Sequence, residues 1–141
     1  MSQHTIPLSP REEIEGLVYF RRMCDKIRLH AAGKLCPEYH ANLGAGMDLW
    51  ACQLLQVDYT DVVEQAKSTE NDVSVLEWCF TNGYQPREEE VRWWNCFMQN
   101  CGSKGNFIDD VFIARKEEAG WADRDDIVCF FDFIDADEGR L

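Results

Sequence analysis

Positive charge is scarce in this sequence: 14 Lys and Arg stand against 26 Asp and Glu in 141 residues, a formal net charge of -12. That scarcity argues against a nucleic-acid surface, because phosphate binding needs clustered cations to displace counterions, and against attraction to an anionic membrane. Long apolar runs are also absent. None approaches the ~20 residues that span a bilayer, and the first residues lack the charged-then-apolar order of a signal peptide. A soluble, cytoplasmic protein is expected. Histidine is limited to His4, His30 and His40, so no two-histidine metal site is spelled out and no metal is expected. Gly-x-Gly-x-x-Gly, Walker A, Gly-x-Ser-x-Gly and His-Glu-x-x-His motifs are all missing, which leaves nucleotide-dependent and common hydrolytic chemistry unsupported and no cofactor expected. No stretch alternates apolar and polar residues between turn pairs, so no sheet is expected.

Cysteine is plentiful by contrast, at seven residues: Cys24, Cys36, Cys52, Cys79, Cys96, Cys101 and Cys129. The number is odd, no Cys-x-x-Cys pair occurs, and most fall inside apolar helical patterns, so small core hydrophobes are expected in place of a disulfide framework or a zinc site.

A hydrophobic content of 45% with 12% aromatics supplies a core for one domain. The expected fold is all-α, a single-domain irregular bundle of six or seven helices over residues 9–141 behind a flexible N-terminal tail, residues 1–8. Ser9-Pro10 with Glu12 and Glu13 reads as the start of a long first helix that ends at Gly33. The stretch 35–46 has no clear period and reads as a loop wrapped over the domain. Further helices are expected from Met47, from an Asp58 cap, from Asn71 or Asp72 to Gly83, and from Pro86 to Gly102. A weaker one surrounds Phe107 to Arg115, and a last one follows an Asp123 cap.

The first helix carries charge among apolar side chains. At about 100° per residue, Phe20, Met23, Cys24 and Ile27 belong to one apolar band, Ile14, Val18 and Leu29 to another, and Arg21, Asp25 and Arg28 fall between them. The spacing pairs Asp25 with both guanidinium groups, at i,i+4 and i,i+3. Arg21, Arg22, Lys26, Arg28 and Lys34 form a basic island in an otherwise acidic chain, able to focus potential on a small anion.

Four motifs carry a family resemblance: Asp25-Lys26-x-Arg28, Ala32-Gly33-Lys34, Tyr39-His40-x-Asn42, and Arg124-x-Asp126-Ile127-x-x-Phe130-Phe131-Asp132-x-x-Asp135-x-Asp137. With Glu77-Trp78 and Trp94 beside them, the chain resembles, nearly end to end, a bacterial family known as domain of unknown function 5069. The resemblance implies a small soluble bacterial protein and singles out Asp25, Lys26, Arg28, Tyr39, Asn42, Arg124, Asp126, Asp132 and Asp135. It implies no activity, and no cysteine belongs to its polar motif.

Two sets of residues follow as candidates. Asp25, Arg28, Tyr39, His40 and Asn42 would form a ligand site if the loop returns along the helix, with Arg28 clamping an anion and His40 moving a proton. The alternative for the same set is a satisfied polar network tying loop to helix. Arg21, Arg124, Asp126, Asp132 and Asp135 are candidates for a structural network, the C-terminal acids docking the last helix onto the basic island. Asp135, Asp137 and Gly139 look like part of a calcium loop without completing the twelve residues of an EF-hand. Trp93 and Trp121 lie off the apolar stripes and are candidates for a contact between two copies. The functional expectation is a binding or interaction domain for a small anionic metabolite or an acidic partner segment. Its alternatives are an enzyme using acid/base chemistry on such a metabolite, and a purely structural homodimer.

Overall fold

The computed structural model describes residues 3–141. It is helical apart from one hairpin: β1 (Glu13–Ile14), β2 (Leu17–Val18), α1 (Phe20–Ala31), a 3-10 helix (Pro37–Asn42), α2 (Met47–Leu55), α3 (Tyr59–Ser68), α4 (Asp72–Asn82), α5 (Glu88–Gln99), α6 (Asp109–Glu118) and α7 (Phe130–Asp137). The helical single-domain fold expected from periodicity is observed, with a two-stranded sheet where none was expected. No helix is long and apolar enough to cross a membrane among the described residues.

The long first helix needs correction. It begins at Phe20, not at Ser9, and the residues before it form an antiparallel hairpin with Glu13 opposite Val18 and Ile14 opposite Leu17. Glu15 and Gly16 both have positive φ, 51° and 77°, the geometry a two-residue hairpin turn requires. Tertiary contacts hold it there. Asn95 on α5 accepts from the Val18 N–H at 3.1 Å and donates to the Gly16 carbonyl at 2.7 Å, while the Trp94 indole donates to the Val18 carbonyl at 3.1 Å. Ile14, Leu17 and Val18 thereby enter the core as strand residues. Ser9 donates to Asp135 and caps no helix.

The remaining differences are at element ends. The 35–46 loop contains the 3-10 helix, and α7 starts after Cys129, several turns of chain beyond Asp123. Asn71 does cap α4, accepting from the Val73 and Ser74 N–H groups. Gly83 ends α4 where it meets the end of α2: a Cβ there would lie 2.1 Å from the Leu55 carbonyl oxygen. Residues 5–8, expected in the tail, lie along α1: the Thr5 N–H donates to the Lys34 carbonyl, Pro7 is buried, and the Leu8 N–H donates to Asp25.

α1 is central. Phe20, Met23, Cys24 and Ile27 face the core with Leu55, Val62, Ala66, Leu76, Met98 and Phe131. Each fully buried side chain of this size contributes ~1.5–3 kcal/mol, so this stripe fixes where α1 sits. Its other two faces carry the charges.

Candidate functional site

Beside the core, α1, the 3-10 helix, α2, α6 and α7 enclose a cavity of about 370 Å³. Its walls are apolar, from Met47, Trp50, Ile108, Phe130, Phe133 and Ile134. Its floor is polar and comes largely from α1, where Arg22 and Lys26 lie one turn apart on one face, with Tyr19 as the residue that starts the helix.

The Lys26 ammonium lies 2.9 Å from Asp48 and donates to the Tyr19 hydroxyl at 3.1 Å. Tyr19 in turn donates to the same Asp48 oxygen at 2.6 Å. The other Asp48 oxygen accepts from the Gly44 N–H at 3.0 Å. Asp48 sits in the first turn of α2, where the helix dipole favours a carboxylate, and its side chain is 0% exposed. Burial pulls the Lys26 amine below the ordinary lysine range, and Asp48 offsets this only in part. Burial and the adjacent Asp48 push the Tyr19 phenol well above its ordinary value, so it remains a proton donor. Tyr19 also has a φ of 78°, a region that costs a bulky residue ~1–3 kcal/mol and persists only where surrounding contacts hold it.

The second half of the floor centres on Glu138. Arg22 donates to both its oxygens at 2.8 Å, a bidentate pair, and Tyr39 donates to it at 2.8 Å. Arg140 adds a contact at 2.6 Å and also reaches the Pro7 carbonyl, closing the N-terminal segment against the C-terminal one. Burial alone would raise the Glu138 carboxyl, but the hydrogen bonds and charge of Arg22 outweigh it and the net shift is downward.

Of the candidate ligand residues, Tyr39 and Asn42 line the cavity. Asp25, Arg28 and His40 lie elsewhere. Asp25 accepts from the Leu8 backbone N–H at 2.9 Å. His40 is exposed, 3.3 Å from the Leu35 carbonyl and edge-on to His30. Arg28 bonds Asp72 at 2.6 Å and the Ala66 and Thr69 carbonyls at 3.0 and 2.9 Å, and Arg21 reaches Asp72 at 3.2 Å. One carboxylate does bridge the two arginines, but it is Asp72 of α4 and not Asp25. Asp25 is engaged by the Leu8 N–H, and α4 presents its first turn at the point where both guanidiniums arrive.

The candidate structural network divides as well. Asp132 and Asp135 pair with Arg11 at 2.6 Å each, ahead of the hairpin, and Asp135 also holds Arg140 at 3.0 Å. Neither reaches Arg28. The last helix region docks onto α1 through Glu138 and Arg22. Arg124 and Asp126 pair with each other at the surface, apart from both clusters. Trp93 is exposed, whereas Trp121 packs against Phe133. All seven cysteines are free; burial pushes the Cys52 and Cys79 thiols up to about 12.

The residues that sequence reasoning undervalued are Tyr19, Arg22, Asp48 and Glu138. The available signal was small: Arg22 and Lys26 share a face at i,i+4, and Asp48 is the one acid in Gly46-Met47-Asp48-Leu49-Trp50. Lys26 was marked by the basic island and by the family motif, with no sign of its buried partners.

Fold and site together define a small helical domain with a partly enclosed, amphipathic cavity and a buried lysine–tyrosine–aspartate set on its floor. The chain belongs to the family described as domain of unknown function 5069, whose model matches residues 4–140. No curated protein matches it.

Proposed function

We propose that this protein is a cytoplasmic small-molecule-binding domain whose ligand has a ring-sized apolar body and a hydrogen-bond-accepting head. The observation that carries this reading is Lys26. An ammonium has three donors, two of them face Tyr19 and Asp48, and the third is left for whatever enters the cavity. Trp50, Phe130, Phe133 and Ile134 offer such a body apolar contact, and the cavity lies in the size range of small-ligand sites. The cytoplasmic placement is supported by seven free thiols, which persist in a reducing compartment.

The floor favours an uncharged head over a strong anion, because Arg22 already faces Glu138 and Lys26 already faces Asp48. An anionic substituent is better met at Arg115, which lines the same cavity from α6 and is exposed. Catalysis on the bound molecule is a second reading. It draws on one specific observation, the left-handed backbone of Tyr19 beside a lysine and a carboxylate.

The test is a thermal-shift screen with small aromatic aldehydes, ketones, alcohols and acids. A ligand at a hundred times its dissociation constant stabilises by about 2.7 kcal/mol. Ile134→Trp adds bulk to an apolar wall of the cavity and leaves every polar floor residue in the sequence, so it should keep the helical circular-dichroism spectrum and lose the shift. Equal shifts in both proteins would place binding outside the cavity and defeat the reading.

A further inference from the structure

We propose that the Lys26 amine condenses with the carbonyl carbon of a molecule held in the cavity, forming an iminium that keeps Asp48 as its counter-ion. This rests on the binding reading above and names its chemistry: the ligand class is an aldehyde or ketone with an apolar body.

The geometry supplies each requirement of the step. Lys26 is 5% exposed at its side chain, yet it lines the cavity, so a bound carbonyl meets the nitrogen away from bulk water. A desolvated lysine near a second cation gives up its proton more readily than one in solvent, and Arg22 lies one turn away on the same face. Asp48, at 2.9 Å, receives that proton. The free amine then attacks the carbonyl carbon, forming the C–N bond as the C–O π bond opens. One proton moves from nitrogen to oxygen to give the carbinolamine. A second returns from Asp48 through the Tyr19 hydroxyl, 2.6 Å away, and the oxygen leaves as water. The balance is ammonium plus carbonyl to iminium plus water, with no oxidant or reductant. Charge is conserved at the buried site, so the Asp48 carboxylate faces a cation before and after. That matters because an unpaired charge here would be strongly destabilising.

The other four lysines lack this setting. Lys34 and Lys104 are exposed, Lys67 is half-exposed near Glu64, and Lys116 donates to the Arg124 and Ile127 carbonyls.

The test treats the full chain with benzaldehyde and sodium cyanoborohydride, which reduces an iminium to a stable benzylamine, and maps the added mass by peptide digestion. Lys26 should gain one benzyl group about tenfold or more faster than Lys34 or Lys104. Ile134→Trp should abolish labelling at Lys26 and leave it unchanged at the exposed lysines. Lys26→Arg, which keeps a cation facing Asp48, should leave only the slow surface adducts. Labelling spread evenly over the lysines, or absent from Lys26, overturns the proposal. Benzyl alcohol separates the two readings, since it fits the cavity and forms no imine. A thermal shift with benzyl alcohol and no Lys26 adduct defeats the covalent step and leaves binding standing, whereas neither shift nor adduct defeats both.

Discussion

Two ionic clusters flank the apolar stripe of α1, about a third of a helical turn apart, and they are built differently. On one flank, Arg21 and Arg28 close on Asp72, and Arg28 also donates to two backbone carbonyls at the end of α3. Those partners engage the guanidinium fork and clamp α1 to α3 and α4. On the other flank, Arg22 and Lys26 meet Glu138 and Asp48, are 5% exposed at their side chains, and border the apolar-walled cavity, while Arg21 and Asp72 border a more open, largely polar cleft. Burial is deeper there, the hydrogen-bond geometry is as short, and donors remain for a guest. Apolar walls stand beside the Lys26 pair, whereas the cleft at Arg21 and Asp72 is largely polar, and this difference supports the site proposed on the Lys26 flank.

The contrast breaks most visibly at Asp48. Asp48→Ala leaves a buried ammonium facing no carboxylate, strips Tyr19 of its acceptor and frees the Gly44 N–H. The expected loss is about 3–5 kcal/mol, read from the urea midpoint at constant m. A loss as small as that of a surface substitution would mean that Lys26 and Asp48 are hydrated in solution.

Glu138→Gln is expected to cost less, about 1–3 kcal/mol at neutral pH, because the amide retains part of the hydrogen bonding to Arg22 and Tyr39. Its pH dependence has a definite sign. The folded carboxyl titrates below its ordinary value of 4.5, so its contribution is fully present above that value and is lost as pH falls through the lower folded one. The gap between wild type and Glu138→Gln should therefore narrow on acidification below 4.5. A gap that stays constant through that range would show that Glu138 is not paired when ionised.

The smallest effect sharpens the structural flank. A double-mutant cycle between Arg28→Gln and Asp72→Asn should give a coupling of about 0.5–3 kcal/mol, whereas Arg28→Gln with Asp132→Asn should be additive within about 0.5 kcal/mol. Coupling in the second cycle and none in the first would restore the docking of the C-terminal acids on Arg28 expected from charge alone.

Much of the fold was legible. Helices from Met47, from Asp58, and over 72–82 and 88–99 follow from i,i+3,i+4 spacing and from caps such as Asn71, since each amphipathic stripe must be buried along one side. The hairpin was not legible, because Ile14, Leu17 and Val18 satisfy a helical wheel as well as a strand. The contest was settled by Asn95 and Trp94, some 77 positions away in the chain. The site was half legible. Tyr39 and Asn42 came from the motif and do line the cavity, but Asp25, Arg28 and His40 face other neighbours.

Taken alone, the order of residues determined that this chain is helical, that one early helix lies at its centre, and that this helix brings buried charge with it. Those properties depend on local periodicity and on the cost of leaving apolar stripes wet. Which acid answers which base was decided only when the elements packed. Ion pairing acts over a few ångströms, and the nearest carboxylate to each cation of α1 is supplied by α2, α4 or the segment after α7. The same packing left the space beside Lys26 that no spacing rule could reveal.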